Sequence, residues 1–149
     1  MKTTTPLLFA LVLASLLFCQ CSRTTYTKAD FPDKRLSFGS GGGFTGAVTS
    51  YHLLPNGQVF ISDGLMADTT ALPSIKKAVA KSLFETADNA RLDTLDFNHP
   101  GNIYKFLHYY NEKDTSRVVW GENGTEVSAE VTNLYRALKD GVDSSGGSD

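Results

Sequence analysis

The sequence predicts an α+β domain, a small and mostly antiparallel sheet with two helices packed on one face, in the order βββαββα. Three observations carry this reading. Residues 47–54, AVTSYHLL, alternate at the strand period and run into Asn56-Gly57, and Asn-Gly between two β-rich runs is the strongest short-range hairpin signal. Val127, Val131, Leu134, Tyr135 and Leu138 place apolar side chains on one helical face near the C-terminus. Between them lies a strongly aromatic segment, 102–110 (NIYKFLHYY), with a return segment SRVVW behind it. Helices that follow hairpins, rather than alternating strictly with single strands, give a two-layer sandwich.

The elements follow in order. RLSF (35–38) is a first short strand that ends at a run of glycines. In the second strand Ala47, Thr49, Tyr51 and Leu53 share one face and Ser50 and His52 the other. QVFIS (58–62) returns, and DGLMADTT (63–70) is expected to leave the sheet. The first helix should open near Pro73, a favoured first-turn residue. Its expected apolar stripe is Ile75, Val79 and Leu83, with Phe84 beside them and Lys76, Lys77 and Lys81 toward water. DFNHPGNIY (96–104) opens as a loop punctuated by Pro100 and Gly101, the aromatic strand follows, and NEKD (111–114) turns into SRVVW. Gly141 is expected to stop the last helix.

The ends are of a different character. Lys2 followed by the apolar run Pro6 to Phe18 reads as a secretory signal peptide, shorter than the roughly 20 apolar residues a membrane-spanning helix needs. Both cysteines of the chain, Cys19 and Cys21, close this run. Their position is similar to the lipidated cysteine of bacterial lipoproteins, with Leu16 three residues before Cys19, although Phe18 or Gln20 stands where a small residue is usual. The organisation expected is a signal peptide over 1–21, a polar tether over 22–33, one domain over 34–142 and a Gly/Ser-rich disordered tail over 143–149. The domain itself contains no cysteine, which removes disulfide and thiol chemistry from consideration.

A formal charge of −2 gives no basic footprint for nucleic acid. From Gly41 the chain fits G-x-G-x-x-G-x-V. A dinucleotide loop must run from a strand into a helix, but these glycines feed another strand. A kinase-type loop would need a strand lysine and metal-binding motifs that the chain lacks. His52, His99 and His108 have no metal-ligand spacing. His99 reads as a turn residue and the other two as half-exposed sheet residues. No G-x-S-x-G elbow and no paired acid/base spacing is present, and Asp93, Asp96 and Asp114 fall near turns. The expectation is therefore a non-enzyme without cofactor or metal.

The segment GGFTG, Gly42 to Gly46, after a short first strand resembles the S-G-G-F-x-G start of the emfourin family, small protein inhibitors of thermolysin-like metalloproteases, with Gly41 where that family has serine. The order of elements is similar too, through Gly41 to Leu54, Ile75 to Leu83, Ile103 to Trp120 and Val127 to Leu138. The resemblance implies a protein partner, a thermolysin-like protease. The N-terminal segment, in which the chain departs from that family, adds the expectation of an exported protein, held at the outer membrane or in the periplasm by lipid on Cys19 or Cys21, or secreted. The residues themselves point the same way. Glycines leave the backbone bare for close approach, and a lone Phe44 among them suits an interface anchor. The expected partner surface is Gly41, Gly42, Gly43, Phe44, Thr45 and Gly46. The competing expectation is a structural envelope protein in which Phe44 folds inward and the glycines merely permit a bend.

Overall fold

The computed structural model describes residues 24–64, 66, 68–112 and 114–146. Seven strands and two helices form it: β1 (Arg35–Gly42), β2 (Val48–Leu53), β3 (Val59–Asp63), β4 (Asp68–Leu72), α1 (Lys77–Asn89), β5 (Asp96–His99), β6 (Ile103–Asn111), β7 (Asp114–Trp120) and α2 (Ala129–Gly146). A single 3-10 turn, Leu92–Thr94, joins α1 to β5. The sheet order is β4-β3-β2-β1-β6-β7-β5. All neighbours are antiparallel except β5 and β7, which run parallel with Asp96 opposite Arg117 and His99 opposite Trp120.

The α+β class is as expected, but the sheet is larger and mixed, and the order is ββββαβββα. The two extra strands are the edges. β4 falls in the segment expected to leave the sheet, and β5 in the segment expected to be a loop. Each edge strand turns a single half-buried apolar side chain to the core, Leu72 and Phe97. With so little to bury, neither shows an alternating pattern, and the backbone ladder to the inner neighbour defines it.

The inner strands behave as their alternation requires. Leu36, Phe38, Leu53, Val59, Leu107, Tyr109 and Val118 point to one face and are buried there under the helices. The β2–β3 turn centres on Asn56-Gly57, with Gly57 at φ 92°. This turn also fixes the start of α1, because the Ile75 N–H donates to the Gly57 carbonyl at 3.0 Å and holds residues 73–76 extended. The helix consequently opens at Lys77 and not at Pro73. Its buried residues are Ala80, Leu83, Phe84 and Ala87, so Leu83 and Phe84 are buried as expected, as is Ile75 just before the helix, while Val79 is exposed and Ala80 takes its place in the stripe.

α2 buries Val131, Leu134, Leu138 and Val142, with Val127 and Tyr135 packed beside them. Gly141 does not stop it. The position a Cβ would take there lies 4.0 Å from Leu83 Cδ1, so this glycine faces α1 within the helix. The hydroxyls of Ser144 and Ser145 donate back to the carbonyls of Asp140 and Val142. Residues 143–146 are thus helical, where a disordered tail was expected.

The expected tether is also more than a spacer from residue 24 onward. The Tyr26 N–H donates to Gln58 Oε1 at 2.8 Å, Gln58 Nε2 returns a bond to the Tyr26 carbonyl at 3.1 Å, and Asn56 Nδ2 donates to the Thr24 carbonyl. Phe31 then lies 5.0 Å from Phe60 and 5.2 Å from His52, ring centre to ring centre, on the sheet face opposite the helices. Among the described residues no helix is long and apolar enough to cross a membrane.

Candidate binding surfaces

The glycine run divides into two parts with different work. Gly41 and Gly42 finish β1, opposite Val48 and Ile103. Gly43, Phe44, Thr45 and Gly46 form the hairpin tip, closed by a bond from the Gly46 N–H to the Gly43 carbonyl at 3.2 Å. The base of the tip is tied on both sides: the Gly42 N–H reaches Ala47 at 3.1 Å, and the Gly43 N–H reaches the Asn102 carbonyl at 2.7 Å. Gly43 and Gly46 have φ of 73° and 63°, a region costly for other residues, and open space lies where their side chains would begin. Phe44 is fully exposed, with a relative accessibility of 107%.

The same end of the sheet carries two more exposed apolar side chains. Ile103 sits across from Gly42 at the start of β6, and Met66 lies in the β3–β4 turn, beyond the Thr49–Asp63 pair. Sequence reasoning found Phe44 but missed these two. The signal available for Ile103 was its place just after the Pro100-Gly101 turn, whereas that for Met66 becomes informative only once β4 is known to exist.

The second surface is the sheet face that the helices leave open. Here Gly39 and Gly41 serve close approach. A Cβ on Gly39 would lie 2.9 Å from Phe106 Cζ, and one on Gly41 would lie 2.7 Å from the Tyr104 hydroxyl. The two rings therefore lie across β1. With Tyr110, Val48 and Val119 around them they line a groove of about 740 Å³, whose rim carries Asp96, Asn98 and Arg117.

A hydrogen-bonded ladder crosses this face. Ser37 Oγ is 2.8 Å from His52 Nδ1, His52 Nε2 is 3.2 Å from Ser62 Oγ, and Ser62 Oγ is 2.8 Å from Thr69 Oγ1. Burial pushes His52 down to about 4, helped by the charges of Arg35 and His108. Burial, then the Arg117 charge, lowers His108 as well. Both imidazoles are neutral at pH 7. Ser37 and His52 have the spacing of a nucleophile and its base, but Ser37 is buried at 3% exposure and the far imidazole nitrogen meets a hydroxyl where a carboxylate would be needed to orient it. The pair is an element of the ladder.

His99 lies on β5 and not in a turn, with its Nδ1 3.1 Å from Glu122 Oε2 at the surface. No group of three metal-ligating side chains occurs among the described residues. Cys19 and Cys21 lie outside the described residues.

The sequence matches no model of a known protein family and has no significant match among curated proteins.

Proposed function

We propose that this chain is a non-catalytic binding module, exported and held at the cell envelope by lipid on Cys19 or Cys21, that captures a protein partner with the tip of its β1–β2 hairpin. The observation that carries this reading is Phe44: a fully exposed phenylalanine on a hairpin tip that is tied down at its base. A single exposed apolar side chain needs no partner, but apolar groups gathered at one end of a surface mark interaction sites, and Met66 and Ile103 are exposed at the same end of the sheet as Phe44. Such anchors carry most of the energy of an interface. The competing structural role needs Phe44 turned inward, and nothing in the hairpin provides a site for it. The resemblance of Gly42 to Gly46 to emfourins supplies the partner class, a thermolysin-like metalloprotease.

The test is inhibition of such a protease by the chain from residue 22 onward. It should slow the protease at near-stoichiometric concentration, and Phe44→Ala should weaken the complex about thirtyfold, as for loss of roughly 2 kcal/mol at an anchor. A wild-type chain that is digested, or that leaves the protease unaffected, removes the inhibitor reading. Capture of another envelope protein that Phe44→Ala does not weaken removes the tip as the site. Replacing both Cys19 and Cys21 with serine should release the protein from the membrane fraction, and unchanged partition into detergent would remove the lipid anchor.

A further inference from the structure

The open sheet face is divided by the N-terminal segment. Phe31 covers it over β2 and β3, and the part over β1, β6, β7 and β5 remains a concave groove. We propose that this groove is a binding site for a neutral oligosaccharide, with Tyr104 as the stacking ring beside a Phe106 floor and Asp96, Asn98 and Arg117 as the hydrogen-bonding rim. The site is separate from the hairpin tip and stands whether or not the tip captures a protein.

The size is that of a small-molecule site, where volumes of about 300–1,000 Å³ are usual, and the groove has about 740 Å³. Its floor is aromatic. Phe106 is the buried centre, with the half-buried Tyr104 on one side along the same strand and Tyr110, capped by Arg35, closing the other. Such rings offer an apolar body with a polar tip, which matches a sugar ring with its C–H face and hydroxyl edge.

The rim is polar and unoccupied by the chain's own contacts. The side chains of Asp96, Asn98, Tyr104 and Arg117 make no hydrogen bond or ion pair to other described residues. Asp96 and Arg117 are register partners across β5 and β7, yet they do not form an ion pair. A carboxylate that can only accept and a guanidinium that can only donate are thus both left for a ligand. A ligand that satisfies both must give and take hydrogen bonds from neighbouring atoms, as vicinal hydroxyls do.

Charge narrows the class. His52 and His108 are uncharged at neutral pH, Asp96 and Arg117 offset each other, and Arg35 is stacked 3.6 Å over the Tyr110 ring and donates to the Pro32 carbonyl. A polyanion finds no cluster of cations here. An extended peptide would add to a strand edge through its backbone, and this face presents side chains alone.

The test is calorimetric titration of the full chain, in a sugar-free detergent, with cellohexaose, maltohexaose, xylohexaose and chitohexaose. At least one should bind saturably with a micromolar to millimolar Kd. Tyr104→Ala and Asn98→Ala should each lower that affinity at least tenfold, and Phe44→Ala should leave it within twofold. Asn98 is exposed, so that variant keeps the test decisive if Tyr104→Ala does not fold. No binding by any of the four sugars overturns the proposal. So does binding that survives both groove variants, or a heparin hexasaccharide that binds more tightly than every neutral sugar.

Discussion

The buried phenol of Tyr109 on β6 donates its hydroxyl proton to Asp88 Oδ1 on α1 at 2.5 Å. Lys34 completes the group, with Nζ 3.3 Å from Asp88 Oδ2 and 5.6 and 5.7 Å from the ring centres of Phe84 and Tyr109. This fastens the first helix to the middle of the sheet by a charge-assisted bond. Tyr109→Phe keeps the ring and deletes only the donor. Bonds to charged groups contribute about 1.5–3 kcal/mol, and Asp88, half exposed and still paired with Lys34, keeps other partners. The expected loss is about 1 kcal/mol in urea unfolding. A variant as stable as the wild type would mean that the bond adds nothing to the helix–sheet contact.

Leu134 is 1% exposed at the centre of the α2 face. Leu134→Ala should lower stability by about 2–5 kcal/mol, through lost transfer energy and the cavity left behind. Trp120, whose ring meets Tyr135 edge-on at 5.2 Å, gives a fluorescence signal for the transition. A melting temperature within one degree of wild type would show that the neighbours collapse into the space.

Acidification should weaken the fold through His52. Its pKa falls from an ordinary 6.5 to about 4 in the folded chain, so between those values the unfolded chain holds a proton that the folded chain does not. Stability is complete above about pH 6.5 and declines as pH drops toward about 4, by at most about 3 kcal/mol from this residue. His108, lowered in the same direction, adds to the decline. The urea midpoint should therefore be lower at pH 5 than at pH 7, and His52→Gln should flatten the difference. An equal slope in wild type and variant would assign the acid sensitivity elsewhere.

Two glycines a few residues apart should respond differently. Gly39→Ala puts a methyl group against Phe106 and the Thr49 backbone in the middle of the sheet, where neither strand can yield. Gly43→Ala meets no atom within 4 Å and suffers only from its φ of 73°, at about 1–2 kcal/mol. Thermal unfolding should show Gly39→Ala unfolded or severely weakened and Gly43→Ala folded. Similar stability for both would mean that the glycines of the run are interchangeable.

The part of the fold legible in the sequence is the part with one-sided burial. β2 shows Tyr51 and Leu53 against Ser50 and His52 because one side meets helices and the other meets a groove. α2 was legible for the same reason, through Val131, Leu134 and Leu138. β4 and β5 bury too little for a pattern, and the start of α1 at Lys77 is not legible because the tie from Ile75 to Gly57 is a backbone bond that composition does not reveal. The N-terminal segment has the composition of a tether because its hold is a few polar bonds to Asn56 and Gln58 and one aromatic, Phe31. Of the candidate surfaces, the hairpin tip was contiguous in sequence and could be read. The groove was not, since Asp96, Tyr104 and Arg117 come from three strands whose neighbours depend on β7 inserting between β6 and β5.

The place of β1 has a kinetic consequence. It is the first strand in chain order among the described residues, and it occupies the centre of the sheet, between β2 and β6. The β1–β4 meander closes through local turns, but the other side of β1 stays an open row of amides and carbonyls until β6 arrives from beyond α1. Closing that distant pair is the slow kind of event in folding, and an unpaired central strand is a template for foreign strands in the interval. The chain is therefore most prone to aggregate after the β1–β4 meander has formed and before β6 is available, and covering that one edge of β1 protects it more than speeding any hairpin would.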